Sequence, residues 1–345
     1  MKSTNPVISI CIPTRNRPDL LAICIASCLE NSYRPIEILV GDDSDDDETE
    51  RWIYGQRSPA GVVLTYSRNE RPLGQSGNVN RLFNEAQGGR VLLLHDDDRL
   101  LAGGLDLLAD AWMRTPNVRC VYGKQFLVEP NGLRLFDQSR AWNDRYFRTA
   151  AHVGLQPNAV VAALRQQVPN DGYLVESALV RRVRFRPESE VGQCVDADFA
   201  VRLAQSADAR GFVFINDHVS EYRLTPNSIA RAKDLNRRED LLFESMEHIG
   251  GDAEVLEAKK LLLSRISVGA ALDAAMAGRR RLALRIMRSQ FYQKAYLSRW
   301  TLFRLVCVCS PGFGRRAKRY LDQVLQLMPN HQRSDSLVEP DVRNL

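Results

Sequence analysis

Four runs of aliphatic and β-branched residues constrain this chain more than any other feature. Val7–Ile12, Ile36–Gly41, Val62–Tyr66 and Arg90–Leu94 read as strands, and the first, continuous and β-branched, has the pattern of a strand buried on both faces. Helix-length stretches separate them. One opens at Pro18-Asp19 and runs to about Asn31, one lies near Glu48–Gln56, and one covers Gly77–Gln87 before Gly88-Gly89. A helix near Leu105–Arg114 then leads to a fifth strand at Val118–Tyr122. Strands alternating with helices predict a mostly parallel α/β sheet flanked by helices. Ligands of such sheets sit at the carboxyl ends of the strands. The conspicuous polar motifs stand there, after strands one, two and four.

The middle of the chain is mixed. Asn131-Gly132 reads as a hairpin turn between Gln125–Val128 and Leu133–Phe136. Residues 147–167 read as helix, Tyr173–Val180 as strand, Asp196–Ser206 as helix, and Phe212–Ile215 and Val219–Tyr222 as short strands. From about Asp234 helix signals dominate, punctuated by Gly250-Gly251, Gly278 and Pro311-Gly312. The expected division is an α/β domain over 1–232, with halves at about 1–125 and 126–232, a helical region over 233–330, and a frayed polar tail over 331–345.

The balance of 44% apolar and 26% charged residues in 345 excludes a disordered, fibrous or polytopic membrane chain. Net charge is +5 but uneven: residues 279–319 hold twelve Lys/Arg and no acid, whereas the first 278 residues carry −5. An anionic surface, such as a membrane face, is a partner for residues 279–319 only; nucleic acid is not expected. No stretch approaches the roughly 18 apolar residues of a membrane span. Val7–Ile12 is too short for a signal peptide and ends in Pro13-Thr14-Arg15. Seven cysteines without a CxxC pair fit a reducing compartment, so the expected location is the cytoplasm.

The loop Pro13-Thr14-Arg15-Asn16-Arg17 follows strand one. It contains no glycine, which argues against NAD or FAD, and it offers hydroxyl, amide and guanidinium groups. Asp42–Glu48 holds six acids in seven residues after strand two. An EF-hand is excluded, because glycine is missing at its sixth position and Tyr54 stands where the bidentate Glu belongs. Asp45–Glu48 suit a solvated first helical turn. Asp42 and Asp43, at the strand end, suit hydrogen bonds to a base or ribose.

His95-Asp96-Asp97-Asp98 follows strand four. Three adjacent carboxylates repel unless a cation or firm solvation compensates, and hard oxygen ligands favour Mg²⁺ or Mn²⁺. Neighbours on an extended chain point opposite ways, so one or two of the three bind an ion directly. Asp196 and Asp198 open a helix, either as dipole compensation or as a general base for an acceptor hydroxyl. The spacing leaves both readings open. Tyr222-Arg223, near Asn227 and Ser228, offers groups for phosphate oxygens.

Together these segments resemble the family 2 glycosyltransferases with the GT-A fold. Val7–Arg17 matches their opening V-S-I-x-I-P-T-x-N-R, Ile36–Ser44 their I-E-I-x-V-x-D-D-x-S, and Gly74–Asn80 their G-x-x-x-N-x-N. A D-x-D region, an E-D-x-x-L-x-x-R-L helix and a Y-R-x-H-x-x-S follow in order, all within residues 5–232. The resemblance implies a GT-A, Rossmann-like domain and a nucleotide-diphospho-sugar donor. Pro13, Thr14, Arg15, Asn16, Asp42, Asp43, Asn78, Asn80 and Asp96 would line the donor site. Asp97 or Asp98 would hold Mn²⁺ or Mg²⁺, the register among Asp96, Asp97 and Asp98 being open by one. Asp196 would be the base of an inverting transfer to a saccharide or lipid-linked acceptor. His95, Val195 and Thr225 depart from the pattern, standing where the family has Asp, Glu and His. A nucleotidyltransferase would need a Gly-rich basic loop that Pro13–Arg17 lacks. A non-catalytic nucleotide-binding scaffold remains the alternative.

Overall fold

The aliphatic runs become four adjacent strands at one end of a nine-stranded sheet. The computed structural model describes residues 5–206, 211–225, 238–292 and 299–312, with 314 and 316. In chain order the first half contains β1 (Ile8–Thr14), α1 (Pro18–Leu29), β2 (Ile36–Asp42), α2 (Glu48–Tyr54), β3 (Val62–Arg68), α3 (Gly74–Glu85), β4 (Arg90–Leu93), β5 (Arg99–Leu100), α4 (Gly104–Arg114) and β6 (Cys120–Val128). The second half adds α5 (Phe136–Arg145), β7 (Gly154–Leu155), α6 (Ala159–Leu164), β8 (Leu174–Glu176), α7 (Ser177–Val183), α8 (Glu188–Val191), α9 (Val195–Ser206) and β9 (Phe212–Arg223). Four helices follow: α10 (Glu239–Glu247), α11 (Ala253–Met276), α12 (Arg280–Arg288) and α13 (Arg299–Cys309).

Strand order is β3-β2-β1-β4-β8-β6-β9-β5, with β7 also paired to β9. β3, β2, β1 and β4 are parallel; β1, β2 and β4 are buried almost throughout, whereas β3 is the edge strand and Val63 on it is exposed. Beyond β4 the sheet is mixed. β8 runs antiparallel to both β4 and β6, while β6 and β9 are parallel. Ile8, Ile10, Ile12, Ile36, Ile38 and Val40 are all at most 1% exposed. They pack with Leu21, Cys24, Ile25 and Cys28 of α1, an i, i+3, i+4, i+7 stripe. Pro18 opens that helix, its fixed φ suiting the first turn. Asn31 ties its end to α4: Nδ2 donates to the Ser27 carbonyl and Oδ1 accepts from Leu105 N.

Several expected elements differ. The Asn131-Gly132 turn forms, but its second strand shrinks to one bridge, Val128 to Arg134, because Phe136 already starts α5. Residues 147–167 are not one helix. Gly154 has φ +98 and Pro157 removes a donor, so only α6 is helical beyond a single 3₁₀ turn, with Asn158 capping Val160 and Val161. Tyr173–Val180 splits into β8 and α7. The two short strands expected near the end are one, β9, whose register with β6 shifts on both sides of Lys124.

The described residues fall into two compact units. One comprises the residues up to Pro187 with Val195–Thr225, and the other Glu188–Cys194 with the residues from 238 on. The first unit carries the nine-stranded sheet, and residues 188–194 group with the second. In the second, Asp252 caps α11 through Val255 N. Arg279 bonds Asp240 and Glu244, and Arg285 meets Glu244 and Glu247, all on α10. Two arginines of the basic stretch are therefore paired internally. Arg304 is 5% exposed. The expected frayed tail at 331–345, with Asn227, Ser228 and Lys294, lies outside the described residues.

Candidate active site

Parallel pairing brings the first two polar loops together. Thr14 is registered against Asp42, and Pro13 against Gly41, at the ends of β1 and β2. Asp43 N donates to the Thr14 carbonyl at 3.0 Å. Asn16 adopts a left-handed φ of 53°, which asparagine tolerates. Its amide bridges the loops, accepting from Asp45 N and donating to Asp45 Oδ2, both at 2.9 Å. Arg15 lies outward, 3.3 Å from Asp45.

Asp42 is fully buried. Its Oδ1 accepts from Ser44 N at 2.7 Å and its Oδ2 from the Tyr66 hydroxyl at 2.8 Å. Burial first, and then Asp42, hold the Tyr66 phenol well above its ordinary range. Asp43 Oδ1 accepts from Asn69 Nδ2 at 2.7 Å and Leu73 N at 3.0 Å. Asn78 donates to the Gly41 carbonyl at 2.7 Å. Asn80 uses both ends of its amide on the Phe185 backbone, at 2.8 and 2.9 Å. Asn78 and Asn80 thus fasten α3 to β2 and to the chain after α7, holding the wall behind the carboxylates.

The acidic turn after β4 divides into a front and a rear. On the front, Asp96 Oδ2 accepts from Thr14 Oγ1 at 2.8 Å. Arg17 Nη1 lies 3.3 Å from Asp96 Oδ1 and 3.1 Å from Asp97 Oδ2. Asp97 Oδ2 also accepts from Thr225 Oγ1 at 3.1 Å. Burial, then the neighbouring Asp97 charge, raises the Asp96 carboxyl to about 6. On the rear, Asp98 turns away from Asp97, toward His95 and Asp171. One ligating atom from each of these three lies within 4.8 Å of the others. Asp98 Oδ1 accepts from Arg223 N at 2.7 Å, but no donor faces its buried Oδ2. Asp171 accepts from His95 N at 2.9 Å and Gln125 Nε2 at 3.0 Å. Burial, then the Asp171 charge, push the Asp98 carboxyl up, and burial raises Asp171 as well. Asp97 and Asp98 therefore face different partners.

The sequence left Asp196 and Asp198 unresolved, and their partners separate them. Asp198 is fully buried. It is bound by Arg186 through both oxygens and by Arg202 Nε at 2.7 Å, and Arg202 also caps the carbonyls of Val183 and Arg184. It holds the start of α9 to the chain after α7. Asp196 Oδ1 is sealed from solvent and has no hydrogen-bond partner. Burial raises this carboxyl to about 6, partly offset by His95 and reinforced by Asp171.

Three residues stood outside the expected site set: Asp171, Arg17 and Tyr66. Asp171 precedes β8, and only the antiparallel run of that strand brings its start to the end of β4. An acid just before the apolar run Tyr173–Val175 was the available signal. Arg17 lay in the motif loop, but nothing local said which way it turns. Tyr66 closes a strand, where an aromatic reads as core.

Residues 9–163 match the family described as glycosyl transferase family 2. A GalNAc(5)-diNAcBac-PP-undecaprenol beta-1,3-glucosyltransferase of Campylobacter jejuni is 32% identical over 103 residues, 30% of this chain and 33% of that one. The matched stretches cover less than two thirds of each such curated relative's length. Among solved structures, TarS 1–349 of S. aureus in complex with UDP-GlcNAc covers 92% of both chains with a TM-score of 0.61 at 14% identity. The mannosyltransferase PcManGT of Pyrobaculum calidifontis, in complex with GDP-Man and Mn²⁺, covers 89% of this chain and 87% of its own, with a TM-score of 0.54 at 17% identity. At these identities the likeness is one of fold.

Proposed function

We propose that this chain, whose residues 9–163 match glycosyl transferase family 2 and whose fold resembles that of TarS, transfers a sugar, with inversion, from a nucleotide-diphospho-sugar to an acceptor hydroxyl. The observation that carries this is Asp196: a carboxylate oxygen without a partner, raised to about 6, beside the acidic turn at the sheet's carboxyl edge. It would take the acceptor proton as the oxygen attacks the anomeric carbon. The C1–O bond to the nucleoside diphosphate breaks as the new glycosidic bond forms. A pKa near working pH suits a general base, since the group is ionised yet still basic. Thr14, Asn16, Asp42 and Asp43 would position the nucleoside. Tyr66 and Asn69 fix the two aspartates in place.

The front of the acidic turn suits a divalent cation. Asp96, Asp97 and Thr225 offer only hard oxygens, and a guanidinium already stands in for a cation there. We assign the metal to Asp97 on this side. A divalent ion there would neutralise charge developing on the leaving diphosphate. The rear cluster already takes donors from Arg223, His95 and Gln125, while Asp98 Oδ2 and His95 Nε2 face no hydrogen-bond partner. The acceptor is a saccharide or a lipid-linked saccharide, the latter by analogy with the undecaprenol-linked substrate named for the Campylobacter relative. Among the described residues no helix is long and apolar enough to cross a membrane. We place the enzyme in the cytoplasm. A lipid-linked acceptor would bring it to the membrane's cytoplasmic face, with exposed Leu302, Leu305 and Val306 of α13 and exposed Arg280, Arg281 and Arg288 nearby in sequence as the contact.

Calorimetry with UDP, GDP, dTDP and CMP, each with and without Mn²⁺ or Mg²⁺, tests the reading. Binding of one nucleoside diphosphate that tightens with metal is the expected result. A folded protein that binds none of them would end the transferase proposal. Binding without turnover over a broad acceptor panel would favour a scaffold.

A further inference from the structure

We propose that Arg17 is an internal counter-cation: it occupies the front seat between Asp96 and Asp97 when no donor is bound, and it must leave that seat for a divalent metal to enter. One guanidinium nitrogen, Nη1, reaches both carboxylates, at 3.3 and 3.1 Å. The Asp97 oxygen it meets is the one that also accepts from Thr225 Oγ1. A metal bound through that oxygen and the guanidinium therefore exclude each other. Arg17 differs from its neighbours in this respect. Arg15 is paired with Asp45 on the surface, and the Arg223 side chain is directed to the carbonyls of Asp97, Glu129 and Pro130. Arg17 is one third exposed and sits just before α1, on the loop that carries Thr14 and Asn16. Once displaced, its planar fork of donors is beside the donor loop and suited to a diphosphate. The carboxylates thus stay neutralised in both states, first by Arg17 and then by the metal. Metal and nucleoside diphosphate should bind synergistically, because the diphosphate provides the guanidinium with a new anion and clears the metal seat. The diphosphate half rests on the proposed function; the competition between Arg17 and metal does not.

The test is a Mn²⁺ titration of nucleotide-free protein, read by the loss of the free-ion electron paramagnetic resonance signal, for wild type, Arg17→Met, Arg17→Lys and Asp97→Asn. Arg17→Met should bind Mn²⁺ about fivefold or more tightly than wild type, since coupling between sites commonly spans 5- to 150-fold. Arg17→Lys keeps a competing charge and should stay near wild type. Asp97→Asn should lose the site. By reciprocity, the enhancement of Mn²⁺ affinity by a saturating nucleoside diphosphate should shrink in Arg17→Met. Unchanged or weaker Mn²⁺ binding by a folded Arg17→Met protein would overturn the proposal, whatever the nucleotide arm shows. Failure of wild type to bind any nucleoside diphosphate would sink the transferase reading while leaving the competition result to stand alone.

Discussion

Asp196 and Asp198, two residues apart on one helical turn, predict opposite phenotypes. Asp198 is locked between Arg186 and Arg202, and Asp198→Ala breaks both ion pairs at a fully buried carboxylate while Arg202 keeps the carbonyls of Val183 and Arg184. We expect a loss of about 3 kcal/mol in urea unfolding, as for breaking a buried ion pair. Asp196→Asn removes a buried carboxylate whose charge burial disfavours, so at pH 7.5 it should not lower stability and should raise it modestly, and the variant should still bind nucleoside diphosphate. It should lower kcat by about 10²- to 10⁴-fold, the usual contribution of a general base. In wild type the acidic limb of kcat/KM should fall away below pH about 6, where Asp196 takes up a proton. A limb near the roughly 3.9 of a free aspartate would remove Asp196 as the base. Spacing could not make this distinction, because both acids suit a helix N-terminus equally.

Elements meet the site through a few buried fasteners. Asn80 satisfies both the N–H and the carbonyl of Phe185, joining α3 to the chain after α7. Asn80→Ala leaves two buried backbone groups without partners, at about 1–3 kcal/mol each. Stability should therefore fall by about 2–6 kcal/mol, and a value under about 1 would mean that water replaces the amide. Gly88, ahead of β4, is a tight backbone approach at the other end of the sheet. An added Cβ would lie 2.7 Å from the Val7 carbonyl oxygen and 2.8 Å from Ser9 Oγ. Gly88→Ala should push β4 away from β1 and destabilise by about 1–3 kcal/mol, the usual cost of overpacking. The strongly periodic or continuous elements, β1 to β4 with α1 and α3, were legible from their apolar pattern. Those between Val128 and Val183 were not, because two-residue and three-residue strands, a bridge and helices of six, seven and ten residues carry too few turns for a clear period to show.

Taken over the first unit, buried acids set the pH response. Asp96 and Asp196 are raised to about 6, and Asp98 and Asp171 are also raised by burial. Between the unfolded value of about 3.9 and the folded values, the native chain holds protons that the unfolded chain has released. Stability therefore falls as pH rises through that window. His95 is likewise raised: burial opposes its charge, but Asp171, Asp196, Asp97 and Asp96 outweigh it. Its contribution is present at low pH and lost as pH rises, so it has the same sign. Thermal melts should fall from pH 5 to pH 7.5, each 1 kcal/mol moving Tm by about 2–4 °C. Asp98→Asn should raise Tm at pH 7.5 and flatten the dependence, because the amide donates to Asp171 without a charge. A Tm that rises over this range in wild type would contradict the assignment. Mn²⁺ should raise Tm more at pH 7.5 than at pH 5, where protonated Asp96 weakens the front seat.

The sequence by itself determined the parallel half-sheet, the loops at its carboxyl edge and most of the acids that gather there. Continuous apolar runs and strand-end polar motifs are local patterns, and local patterns survive in one dimension. Tertiary structure alone decided how those acids divide. The antiparallel entry of β8 brings Asp171 behind Asp98, and the turn of one guanidinium places Arg17 on Asp96 and Asp97. Both contacts join residues more than seventy positions apart. Charge, unlike hydrophobicity, carries no periodicity that announces its partner, so proximity had to come from the fold.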